Sequence, residues 1–153
     1  MIRILGLDPG KTTGVALVSF TPDHALQAAY DQTTDRDGLL NLVTTYLRGL
    51  LVNAVAIEKF VVNRRAGRSS SAQDGEAARD IIGAVRALCD QHGVRYIQRP
   101  AGVVKPWATD RRLSAAGITQ QTKGQGHARD AARHALYAAV RDFHVRDPLS
   151  RKD

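Results

Sequence analysis

The 153-residue sequence predicts an α/β fold with a mixed five-stranded sheet and helices on both of its faces. Three observations carry that prediction. Apolar runs of strand length follow one another at the start of the chain with no helical pattern between them, as in a run of antiparallel strands. After them, strand-length runs alternate with segments of helical periodicity, the signature of α/β crossovers. No internal repeat or linker divides the chain, so one sheet is expected to hold it all.

The elements read in order. Ile2 to Leu7 is an apolar run that stops at Asp8-Pro9-Gly10, where Pro and Gly force a turn. Gly14 to Phe20 reads as the returning strand, and Ala25 to Thr33 as a weakly patterned third. Leu39, Leu42, Val43, Tyr46 and Leu50 recur at helical spacing behind Asp35, a natural cap. Val52 to Ile57 is a fourth strand and ends at Glu58. From Phe60 to Ser71 the chain turns basic and small, with Arg64, Arg65, Gly67, Arg68 and consecutive serines, which reads as a flexible loop. Ala78, Ile81, Ile82, Val85 and Leu88 then mark one face of a helix, and Val94 to Ile97 a fifth strand. Pro100 to Gly117 has helical periodicity, but Pro106 should break or restart any helix there. Gly124 and Gly126 mark a loop, and Ala128, Ala132, Ala135, Ala139 and Phe143 a closing helix. The order is β-β-β-α-β-α-β-α-α, with one domain over 1–143 and a polar, frayed tail over 144–153.

Composition narrows the function. A 43% hydrophobic fraction supports a real core without staples, and a single cysteine, Cys89, rules out an internal disulfide. No apolar stretch approaches the ~20 residues needed to span a bilayer, so a cytoplasmic protein is expected. The net charge of +7 favours a polyanionic partner such as nucleic acid.

Three carboxylates stand where an α/β fold gathers chemistry. Asp8 lies just past the first strand, Glu58 at the end of the fourth, and Asp130 in the first turn of the last helix. His127 precedes Asp130 by three residues, so His127, Asp130 and His134 form one stripe beside the buried face of that helix. Taken singly, each has an ordinary reading: Asp8 as a turn residue, Glu58 as a strand exit, Asp130 as a helix N-terminal acid favoured by the dipole, His127 as a loop histidine. Jointly they point to a cation site, because clustered carboxylates repel one another unless protonated or bound to a cation. Mg2+ or Mn2+ would relieve that repulsion, and two such ions about 3.5–4 Å apart suit phosphodiester hydrolysis. His127 suits the softer Mn2+ or a proton-handling role.

These residues also resemble a family. Ile4-Leu5-Gly6-Leu7-Asp8-Pro9-Gly10 with Thr13-Gly14 resembles the opening motif of RuvC-type Holliday-junction resolvases. Ala56-Ile57-Glu58 with Phe60 resembles their second motif, and His127-Ala128-Arg129-Asp130-Ala131 with Ala135 their last. Pro100 with Val104-Lys105 is similar to their Pro-x-x-Val-Lys segment, with one extra residue. The resemblance runs from Met1 to about Val140. It implies an RNase H-like fold, a homodimer acting on branched DNA, and Mg2+ or Mn2+, two ions per active site, held by Asp8, Glu58, His127 and Asp130. It further implies that Lys105 approaches the scissile phosphate and that Phe60 lies at the junction centre. The helix from Ala78 to Leu88 is the candidate subunit interface, with a core helix as the equal alternative.

The sequence also departs from the family. No lysine matches the second phosphate-binding lysine, and Arg111, Arg112 or Lys123 is expected in its place. Arg64, Arg65 and Arg68 enrich the loop after Phe60 and are expected on DNA phosphates. Compact versions of this kind occur in bacteriophages. The competing readings are another RNase H-like nuclease acting on forks, flaps or RNA–DNA hybrids, and a catalytically inactive module that binds branched DNA. A sugar-kinase reading of Asp8 to Gly14 fails because the chain lacks a second domain and the upstream glycine of a P-loop.

Overall fold

The computed structural model describes residues 1–49, 51–61 and 70–150. Its strands are β1 (Ile2–Asp8), β2 (Thr13–Phe20), β3 (Leu26–Thr33), β4 (Ala54–Lys59) and β5 (Arg95–Pro100). Its helices are α1 (Arg36–Arg48), α2 (Ser70–His92), α3 (Ala101–Val104), α4 (Asp110–Ala115), α5 (Ile118–Gln121) and α6 (Gly126–Phe143). The strands form one sheet in the order β3-β2-β1-β4-β5. β1–β2 and β2–β3 pair antiparallel, while β1–β4 and β4–β5 pair parallel. The predicted mixed five-stranded sheet with helices on both faces is therefore observed.

The period of two along each strand decides which side chains meet which helix. On one face Ile4, Ala16, Val18, Ala54 and Ala56 pack against the alanines of α6. On the other, Leu5, Leu7, Val55 and Ile57 pack against α1 and α2 through Leu39, Val43, Leu47, Ile81, Val85 and Cys89. The α6 face is built from small residues, so the helix backbone comes down onto the strands. A Cβ on Gly6 would lie 2.2 Å from the carbonyl oxygen of Ala131, and one on Gly14 would lie 1.9 Å from that of His127. These glycines are required by close approach, and they bring the start of α6 to the end of β1.

Local signals explain several boundaries. Asp35 caps α1 as expected, accepting from the amide of Gly38 at 3.0 Å. The turn after β1 is closed by buried Thr13, whose hydroxyl donates to the carbonyl of Gly10 at 3.1 Å. Pro106 does interrupt the helical pattern: α3 ends before it, and α4 restarts at Thr109, which accepts from Arg112 N at 3.3 Å.

Three expectations need correction. The helix expected from Ala78 starts at Ser70, taking in serines read as loop. Its early turns carry exposed Gln73, Asp74 and Glu76, so no apolar stripe announced them. The apolar face of α2 offered as a subunit interface is committed to the core: Ala78, Ile81, Val85 and Cys89 are buried, and Ile82 and Leu88 pack partly against them. The segment after α6 is not frayed across 144–150, because Val145 and Leu149 are buried. There Arg112 donates to Asp147 at 2.5 Å and to the carbonyl of Trp107 at 2.7 Å, and stacks on the Trp107 ring. Among the described residues no helix is long and apolar enough to cross a membrane.

Candidate active site

The parallel pairing of β1 with β4 aligns Leu7 with Ile57, so the next residue on each strand, Asp8 and Glu58, comes out at the same end of the sheet. Ile4, Gly6 and Asp8 alternate onto the α6 face, as do Ala54, Ala56 and Glu58. Both carboxylates therefore point toward α6, whose first turns carry His127, Asp130 and His134. The close backbone approach at Gly6 and Gly14 completes the cluster.

Each carboxylate has its own partner. His127 Nδ1 lies 2.9 Å from Asp8 Oδ2. His134 Nε2 lies 3.2 Å from Glu58 Oε2. Asp130 carries two cations, accepting from Lys105 Nζ at 3.1 Å on Oδ2 and from Arg133 at 2.7 Å on Oδ1. Arg133 also bonds Asp110 at the start of α4. Lys105 stands just past α3, where the chain leaves β5. The arrangement opens to solvent through a depression of about 530 Å3 whose lining includes Lys105, Asp110, His127, Arg129, Asp130 and Arg133. A second groove, of about 1020 Å3 between β3 and residues 148–150, has no carboxylate in its lining and lies apart from this chemistry.

The electrostatics are those of a buried acid with other acids nearby. Burial, reinforced by the charges of Glu58 and Asp130 and opposed by the hydrogen bond from His127, pushes the Asp8 carboxyl up to about 6. Among the described residues no three His, Cys, Asp or Glu side chains converge on a single point as a finished metal cage. The reason is visible in the pairings: each acid is turned onto an imidazole, ammonium or guanidinium. The donor set itself fits a hard divalent cation. Asp8, Glu58 and Asp130 would supply oxygens and His127 a nitrogen, and the Asp8 carboxyl is raised by its burial first and then by the charges of Glu58 and Asp130.

The structure thus brings together Asp8, Glu58, His127, Asp130 and Lys105. Phe60 is half-buried and lies on α2, its ring so close to Gly75 that a Cβ there would sit 2.6 Å from Cζ, with Arg79 over one face at 5.5 Å. Arg64, Arg65 and Arg68 lie outside the described residues. Arg111 is exposed on α4, and exposed Lys123 precedes Gly124 of the depression. Arg112 does not serve as the free phosphate cation expected of it, since its guanidinium ties down 147–149. Sequence reasoning placed His134 on the functional stripe without a role and passed over Arg133. The available signal was two polar residues inside the otherwise buried run Ala131, Ala132, Ala135 and Leu136.

No protein-family model and no curated protein matches the chain. Solved structures do. The chain is similar to Thermus thermophilus RuvC in complex with a Holliday junction substrate, with a TM-score of 0.62 and 18% identity over 94% of this chain and 96% of that one. Thermus thermophilus RuvC alone gives a TM-score of 0.59 at 19% identity, covering 94% and 98%. The yeast mitochondrial Holliday junction resolvase Ydc2 gives 0.55 at 10% identity, covering 88% and 76%. The fold is that of the RuvC-type resolvases, the RNase H-like fold.

Proposed function

We propose that the chain is a metal-dependent endonuclease that nicks phosphodiesters in branched DNA such as four-way junctions. The observation that carries the proposal is the placement of Asp8, Glu58, His127 and Asp130 around one end of the sheet, beside Lys105, on a fold shared with resolvases. The net charge of +7 supports a polyanionic substrate.

In this reading Asp8, Glu58, His127 and Asp130 would hold Mg2+ or Mn2+, two ions per site. When bound, the ions supply an activated water and charge stabilisation of the leaving oxygen. The chain's own residues do the rest. Lys105, half-exposed and resting on Asp130, swings onto the scissile phosphate and neutralises it there. Arg133, almost fully buried, stays on Asp130 and holds that carboxylate when Lys105 leaves. His127, 2.9 Å from Asp8, keeps that carboxylate oriented and would offer a nitrogen to the ion. Arg111 and Lys123, both exposed, take neighbouring phosphates, as do Arg64, Arg65 and Arg68 beyond Phe60. Symmetric incision of a four-way junction requires two such sites related by a two-fold axis, hence a homodimer.

A panel of labelled substrates tests the proposal. Four-way and three-way junctions, flaps, RNA–DNA hybrid and linear duplex are incubated with the protein and Mn2+. The expected result is incision of junctions near the branch, paired on two opposed strands, with linear duplex left intact. Preferential cutting of the hybrid or of flaps would move the assignment to another RNase H-like nuclease. Binding of junctions without incision in any metal would leave a DNA-binding module.

A further inference from the structure

We propose that His134 is a positioning residue that aims the Glu58 carboxylate at the divalent cation; this rests on the metal-site reading above. His134 is two turns along α6 from His127, and its side chain is 3% exposed. It stands in a stretch of α6 where the other buried positions are Ala131, Ala132, Ala135, Leu136, Ala138 and Ala139, apart from Arg133. An imidazole there costs desolvation that an alanine or leucine would not, so its presence calls for a polar partner. That partner is Glu58, 3.2 Å from Nε2.

The chemistry fixes the direction of the bond. An ionised carboxylate only accepts, so Nε2 carries the hydrogen and donates to Oε2. One oxygen of Glu58 is thereby held, and the other is left for a cation. The same logic repeats across the cluster: His127 faces Asp8 from the first turn of α6, and His134 faces Glu58 from two turns deeper. His127 is about half-exposed and free to exchange Asp8 for an ion, whereas His134 is enclosed and has no such freedom. Contacts of this second kind fix the orientation of a ligand and commonly change metal affinity about 10–100-fold when lost.

Mn2+ titration of the DNA-free protein, followed by the electron paramagnetic resonance of the free ion, tests this. His134→Met and His134→Gln are similar in volume, and only Gln keeps a donor. Met is expected to weaken Mn2+ binding about tenfold or more, and Gln to stay within about threefold of wild type. In a Glu58→Gln background, His134→Met should add no further loss, because its effect runs through Glu58. Equal Mn2+ affinity in wild type and His134→Met, or fully additive losses with Glu58→Gln, would overturn the proposal. Wild type failing to bind Mn2+ at all would overturn the metal reading beneath it. A melting scan accompanies each variant; if Met is not tolerated, the pair His134→Leu and His134→Asn makes the same comparison.

Discussion

Asp8→Asn is expected to abolish incision of branched DNA while making the metal-free protein more stable above pH 6. Asn is close to Asp in size but is a poor ligand for a hard cation, so catalysis should fall to background with DNA binding retained. The stability effect has the opposite sign. In the fold, burial first and then the charges of Glu58 and Asp130 raise the Asp8 carboxyl from 3.8 to about 6. The folded state therefore favours neutral Asp8. The stability this contributes is fully present below about 3.8 and is lost as pH rises through about 6. A shift of about two units corresponds to about 3 kcal/mol. Asn stays neutral and keeps that stability at pH 8, which for a domain of this size is roughly 6–12 °C in Tm. Melting in the presence of chelator should show the gain at pH 8 and none at pH 4. Added Mn2+ should then raise the Tm of the wild type and leave Asp8→Asn unmoved. A variant that melts with the wild type at pH 8 would contradict the raised Asp8 carboxyl and the burial that chiefly causes it.

Gly14→Ala is expected to be the most damaging small substitution outside the acids. A Cβ at that position would lie 1.9 Å from the carbonyl oxygen of His127 and 2.1 Å from its carbonyl carbon. Neither is the yielding end of a side chain, so the start of α6 must move away from β2 by about 1 Å. Overpacking of this kind costs about 1–3 kcal/mol, and more where backbone must shift. The displaced segment carries His127 and Asp130, and a misplacement of about 1 Å in a catalytic group can cost about 100-fold in rate. Denaturant unfolding together with a cleavage time course checks both losses. Gly83→Ala on α2 is the control: nothing lies within 4 Å of its Cβ, and an exposed helical Gly→Ala should stabilise by up to about 1 kcal/mol. Wild-type rate and stability in Gly14→Ala would contradict the packing described here.

The contrast between these positions shows what a sequence makes legible. Asp8 and Glu58 could be placed because both end strand-length apolar runs, and parallel pairing of those strands then sets them side by side. His127 and Asp130 could be placed because helical spacing gives them one face. Lys105 was reached only through family resemblance, and the structure puts it on Asp130. Periodicity could not supply the contacts made across the fold. Arg112 looks like any surface arginine until Asp147 and Trp107 are seen around it. Val145 and Leu149 sit in a polar stretch too short to show a pattern, yet both are buried. The early turns of α2 carry solvent-facing polar residues and so hid among loop-like serines. His134 was visible as a polar residue beside a buried face, but its meaning depends on Glu58, 76 positions away.

Whether this acidic cluster hydrolyses DNA at branch points with a divalent cation is decided by comparing a junction with a duplex. A four-way junction labelled in each strand is incubated with the protein in chelator, in Mg2+ and in Mn2+, beside a linear duplex of matched sequence. Incision close to the crossover is expected only when Mg2+ or Mn2+ is present, with none in chelator and the linear duplex intact. Incision that persists in chelator, or cutting of the linear duplex as fast as the junction, would contradict metal-dependent hydrolysis at branch points.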